Sequence, residues 1–129
     1  MAERRMFAKT IIDSDMFIDM PTSARLLYYD LAMRADDDGF VNNPKKICRM
    51  TGASEDDLKI LIAKQYLIPF ETGIVVIKHW KIHNYIRKDT YTKTAYLREF
   101  SEVSLNEQKE YVHEPSTSRP RAVDTGKDR

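Results

Sequence analysis

The residues of this 129-residue chain that could do chemistry fall into three groups. Asp36, Asp37 and Asp38, followed by Gly39, place three carboxylates in a row, a cluster that could hold a divalent cation for phosphoryl chemistry. Arg34 and Lys45 stand where a calcium loop needs Asp and Glu, and nothing shows other ligands converging on the cluster, so it reads as a loop that ends a helix. A nuclease built on Asp36–Asp38 is the enzyme reading to be tested against. His79 and His83 are four apart, which on a helix could aim two imidazoles at one metal. No carboxylate stands between them as in a metalloprotease motif, and the preceding residues read as strand. Cys48 is the single cysteine, which excludes an internal disulfide and, with no His/Cys cluster near it, a thiolate zinc site. Gly39, Gly52, Gly73 and Gly126 are scattered, so no glycine-rich phosphate loop exists, and no nucleophile–base signature is present. The expectation is a chain without catalytic residues, metal or cofactor.

The third group is basic and aromatic. From Lys78 to Arg98, the bases Lys78, Lys81, Arg87, Lys88, Lys93 and Arg98 face only Asp89, and Trp80, Tyr85, Tyr91 and Tyr96 are interleaved with them. Cations hold phosphates and aromatic faces stack on exposed bases. Trp80 is expected in the core. The formal net charge of +1 hides this distribution. Residues 1–38 carry −3, residues 39–98 carry +6 and residues 99–129 carry −2. A basic middle lies between acidic flanks, which keeps a nucleic-acid partner in play where the total would discourage it.

These side chains need elements to position them. Met6–Ile12 is rich in β-compatible residues and predicts a short strand, with one helical turn after Asp13-Ser14-Asp15. Pro21-Thr22-Ser23 opens a helix, with Thr22 or Ser23 as cap, and Ala24, Leu27, Tyr28, Leu31, Ala32 and Ala35 keep helical spacing. Leu26, Tyr29 and Met33 form a second apolar line, so this helix is central or lends a face to a partner. Gly39 supplies the positive φ of its exit. Phe40-Val41 is a brief strand. Asn42 or Asn43 caps a helix over Pro44–Met50; after the turn Thr51-Gly52-Ala53, Ser54 caps a second over Glu55–Tyr66, with Asp57 completing a capping box. Two helices around a short glycine-containing turn are a helix-turn-helix signature. Leu67–Phe70 and Ile74–Lys78 flank Glu71-Thr72-Gly73 as a hairpin. The fold class expected is α+β, a winged helix-turn-helix with a short N-terminal strand and a β-hairpin wing.

On the wheel of the second helix, Leu58, Leu61, Ile62 and Gln65 face inward, and Asp56, Lys59, Ile60, Ala63 and Lys64 face outward. Such a face suits a major groove, with Lys for phosphate or guanine and apolar groups for thymine methyls. Glu55-Asp56-Asp57 suits the helix dipole but would face phosphate, so the middle of the helix is expected to read bases. Lys45, Lys46 and Arg49 on the first helix, with Lys78, Lys81, Arg87 and Lys88, would neutralise phosphates. The hairpin tip carries no base.

The organisation expected is a domain over 1–98, a terminal helix near 99–112, and a tail or linker over 113–129 whose Pro, Ser, Thr and charge cannot order themselves. The longest apolar stretch, Leu67–Ile77, is interrupted by Pro69, Glu71 and Gly73 and is too short to cross a bilayer. The charged start, without a signal region, predicts a cytoplasmic protein with no membrane partner.

Three segments carry a family resemblance: Met6–Pro21 (MFAKTIIDSDMFIDMP), Met33–Ser54 (MRADDDGFVNNPKKICRMTGAS) and Ile74–Asp89 (IVVIKHWKIHNYIRKD). Over about residues 3–98, three quarters of its length, the chain resembles the N-terminal domain of phage replisome organisers, replication-initiation proteins of phages and prophages of Gram-positive bacteria. The resemblance implies a winged-helix domain that binds double-stranded DNA at the phage origin in a bacterial cytoplasm. It also implies recruitment of helicase-loading or helicase proteins, usually through a separate C-terminal region that a chain ending at Arg129 is expected to lack. Single-stranded DNA and a homo-oligomer are further expected partners. The alternatives are a protein-interaction or oligomerisation module of the replication machinery and a winged-helix transcriptional regulator.

Overall fold

The N-terminal segment is extended but forms no strand. In the computed structural model, which describes residues 4–114, the N–H of Met6 donates to Asn84 Oδ1 and that of Ala8 to His83 Nδ1, both at 2.8 Å. Residues 4–8 thus form an arm whose N–H partners include side chains. The short strand predicted over Met6–Ile12 is replaced by this arm and a helical turn, α1 (Lys9–Ile12). β-Branched residues favour a pleated surface, and without a partner strand that preference has nothing to act on. Ser14 then accepts the N–H of Phe17 and opens α2 (Asp15–Ile18), which buries Phe17.

The central helix, α3 (Thr22–Arg34), buries Ala24, Leu27, Tyr28, Leu31 and Ala32. Its apolar spacing dictates that face, and the second apolar line leaves Leu26 and Met33 about half exposed. Neither Thr22 nor Ser23 caps it. Pro21 occupies the cap position without a side-chain bond, and the Ser23 hydroxyl donates instead to Asp57 Oδ1 at 2.7 Å. Ala35 leaves the helix in extended conformation, so Gly39 does not make the exit. Its φ of +90° closes the turn after Asp36, and a Cβ there would stand 2.6 Å from Trp80 Cγ. The glycine admits the indole.

The next elements are β1 (Phe40–Val41), α4 (Pro44–Thr51), α5 (Glu55–Ala63), β2 (Leu67–Pro69) and β3 (Val75–Ile77). β3 lies between the other two strands, antiparallel to both, with Val76 opposite Phe40 on one side and Ile68 on the other. Asn43, at the start of α4, is left-handed (φ 57°) and its side chain makes no capping bond; Gly52 ends the helix at φ 82°. The capping box of α5 is complete: Ser54 Oγ accepts the Asp57 N–H at 3.2 Å, and Asp57 Oδ2 accepts the Ser54 N–H at 3.0 Å. α5 stops three residues earlier than predicted, because the chain turns through left-handed Gln65.

Beyond the sheet, α6 (Trp80–His83) leads into an irregular strap, residues 84–96, and then α7 (Leu97–Ser101). The terminal helix expected near 99–112 is instead α7 followed by an antiparallel hairpin, β4 (Val103–Leu105) with β5 (Tyr111–His113). Asn106 Oδ1 accepts the N–H groups of Gln108 and Glu110, and Lys109 takes φ 65°, so the intervening residues form a turn. Tyr111 is buried, its N–H on Lys78 O and its hydroxyl on Asp38 O, so packing continues past residue 98. Of the tail expected over 113–129, His113 belongs instead to β5, where it pairs with Val103, and residues from 115 onward lie outside the described residues. The core runs from Phe17 through α3 and the three-stranded sheet to Trp80.

Candidate nucleic-acid interface

Glu55 through Ala63 is helical because the capping box holds its start and Leu58 and Leu61 bury its inner face. That inner face leaves Asp56, Lys59 and Ala63 exposed on the helix and Lys64 exposed just beyond it. Ile60 does not share the open face: it is half-buried and packs against the core. Gln65, expected to point inward, lies exposed beyond the helix, where its Oε1 accepts from Lys78 Nζ at 3.3 Å. Lys64, Lys78 and Ala63 line one open cleft, with Thr10, Ser14 and Glu110 on its other walls.

α4 presents Lys45, Lys46 and Arg49, all exposed, because Ile47 and Cys48 take its buried side. Lys45 Nζ lies 3.8 Å from Glu55 Oε1 in an exposed pair, a contact of little energy that solvent and salt screen. Lys46 lines a depression with Arg34, Asn42, Asn43 and Tyr96, and Lys45 lines another with Thr72 and Gly73 of the hairpin tip. That tip is braced: the Thr72 hydroxyl donates to buried Glu99 Oε2 at 2.6 Å.

The strap separates the remaining candidates. Lys81 is an internal partner, because its ammonium sits 3.2 Å from Asp38 Oδ1 and 5.7 Å from the centre of the Tyr91 ring. Asp38 is fully buried, so in this structure the Lys81 charge is paired inward. Arg87 pairs with Asp89 at 2.7 Å in an exposed contact, and Lys88 is exposed beside it.

Asp36–Asp38 form the loop that follows α3, and their carboxylates are organised into a node. Asp36 Oδ1 accepts the N–H groups of Asp38 and Phe40, and its Oδ2 accepts the Thr94 hydroxyl. Asp37 accepts the Thr92 N–H and pairs at 3.6 Å with Arg5, whose side chain is as buried as its own. Asp38 accepts the Thr94 N–H and the Tyr91 hydroxyl. Trp80 Nε1 donates to Asp37 O at 2.9 Å. Burial pushes Asp36 up against its donors, and burial together with the Asp38 carboxylate pushes the Tyr91 phenol up. The signal for this node was three adjacent acids between apolar segments, since buried carboxylates require convergent donors.

His79 and His83 point their nitrogens at different partners. His79 Nε2 lies 3.3 Å from Glu110, while His83 engages Ala8 and Tyr28. Among the described residues no group of His, Cys, Asp or Glu is arranged to hold a metal ion. No helix among them is long and apolar enough to cross a membrane. No protein-family model, curated protein or solved structure matches the chain.

Proposed function

We propose that the chain is a winged-helix domain that binds DNA without enzymatic activity, the DNA-binding part of a phage or prophage replication initiator. The observation that carries the reading is the exposure of Lys59 and Ala63 on α5 and of Lys64 at its C-cap, with Lys45, Lys46 and Arg49 exposed on the neighbouring α4. The order α3, β1, α4, α5, β2, β3, with β3 between β1 and β2, supports a helix-turn-helix followed by a wing. The resemblance to replisome organisers makes the phage origin the expected duplex and helicase-loading proteins the expected later partners. Lys45, Lys46, Arg49, Lys59 and Lys64 would supply about five phosphate contacts, a salt slope of roughly −4.5, so a fourfold rise in salt weakens binding about 500-fold. Fluorescence anisotropy on the origin duplex tests this; salt-insensitive binding, or none at low salt, overturns it.

A second reading, an oligomerisation or docking module, is favoured by Leu26 and Met33, seven residues apart on α3 and about half exposed. Light scattering that shows a stable oligomer, with no duplex binding, would select it. A transcriptional regulator would use the same surface on a different site, and binding selection on the encoding genome separates origin from operator.

A further inference from the structure

The strap has two unlike sides. Its inner side is pinned by carboxylates: the N–H groups of Thr92 and Thr94 donate to Asp37 and Asp38 at 3.0 and 2.8 Å, and the Tyr91 hydroxyl donates to Asp38. Between these anchors and α6, the N–H groups of Thr90 and Tyr91 both donate to Arg87 O, closing a turn that lifts Arg87 and Lys88 into solvent. Its exposed side chains include Tyr85, which is 83% exposed, Arg87 and Lys88, one acid, Asp89, and Lys93, whose ammonium lies 5.4 Å from the centre of the Phe100 ring. Thus a backbone without helix or strand is fixed from beneath, while cations and an open aromatic ring face outward.

We propose that this outer side binds an unpaired strand of nucleic acid, with Arg87, Lys88 and Lys93 on its phosphates and a base stacked on Tyr85. The charge suits a polyanion. The ring selects the strand's form, because a stacking face is accessible on an unpaired base and hidden between neighbours in a duplex. Arg87 is not withheld by Asp89, since an exposed ion pair is weak and yields to a phosphate. The inference rests on the DNA-binding reading and adds a second form of DNA at residues other than those of α4 and α5.

The test is anisotropy of the full chain at low salt with two probes, labelled oligothymidylate and the labelled origin duplex. Tyr85 is exposed, so replacing it leaves the fold intact. Tyr85→Ala is expected to weaken oligothymidylate binding about 10-fold, Tyr85→Phe to stay within about twofold of the parent, and duplex binding to stay within about twofold for both. Trp80 is the only tryptophan and is buried, so Tyr85→Trp adds a surface indole whose fluorescence oligothymidylate should quench and duplex should not. Absent oligothymidylate binding, or equal losses on both probes, overturns the proposal while duplex binding keeps the α5 reading. Tyr85-dependent oligothymidylate binding without duplex binding supports the strap and overturns that reading. Binding of neither probe overturns both and leaves the strap as a protein-docking surface.

Discussion

Ser23 and Asp57, thirty-four residues apart, are joined by a 2.7 Å hydrogen bond that ties the first turn of α3 to the first turn of α5. Asp57 therefore closes the capping box of the proposed recognition helix and sets that helix against the central one. Burial opposes its charge, but bonds from the Ser23 hydroxyl and from Ser54 outweigh burial and hold its carboxyl below the usual value. A lowered carboxyl contributes stability that is present above its unfolded pKa and lost as pH falls through its folded pKa. Ser23→Ala should cost about 1 kcal/mol, and a double-mutant cycle with Asp57→Ala should show coupling of about 0.5–1.5 kcal/mol in urea denaturation. Additive losses would show that the bond does not couple the helices.

His83 sets a second pH dependence. Its Nδ1 accepts the Ala8 N–H, so the neutral ring carries its proton on Nε2, 2.6 Å from the Tyr28 hydroxyl. Burial, then the nearby His79, lowers its pKa to about 4. The unfolded chain binds the proton first, so the stabilisation is complete above about pH 6.5 and is lost as pH falls toward 4, roughly 3 kcal/mol in all. Urea midpoints measured from pH 7 to 4.5 should fall, and a profile that shows no change assignable to His83 by NMR titration would contradict the assignment.

Gly39→Ala should destabilise the fold by about 2–4 kcal/mol, combining positive-φ strain with a clash against the Trp80 ring. Since Trp80 is the only tryptophan, its fluorescence during denaturation reports the loss at the site itself. A change under about 0.5 kcal/mol would mean the indole moves aside freely.

Lys64 and Lys81 should separate binding from stability. Lys64→Ala should reduce the salt slope of duplex binding by about 1 with little change in stability. Lys81→Met should leave the slope unchanged and cost about 1–3 kcal/mol, because buried Asp38 loses a charged donor while keeping Tyr91 and Thr94. A slope change for Lys81→Met would place that ammonium on DNA.

The middle of the chain was legible because its determinants are local. Pro44, the Ser54–Asp57 box and Gly73 each act within a few residues, and α4, α5 and the β2–β3 hairpin form about where they imply. The arm was illegible for the opposite reason: Met6 and Ala8 find side-chain acceptors 78 and 75 residues away. Glu107 through Glu110 are helix formers by propensity, and the Asn106 carboxamide turns them into a hairpin. At the candidate site, exposure of Lys45, Lys46, Arg49, Lys59 and Lys64 followed from amphipathic spacing. The inward commitment of Lys81 did not, because Asp38 is 43 residues away.

The Asp36–Asp38 node also has a consequence for the order of events on the ribosome. Asp38 is synthesised 53 residues before Tyr91 and 73 before Tyr111, the two phenols that bond it. Until Lys81, Tyr91 and Thr94 emerge, its carboxylate lacks these donors, and its carbonyl lacks the Tyr111 hydroxyl for longer still. Local pairing in α4, α5 and the β2–β3 hairpin can proceed during translation, whereas the last compaction waits for the nascent chain to deliver β5. Long loops of this kind slow closure. Completion of the node around Asp38 therefore depends on the hairpin that carries Tyr111.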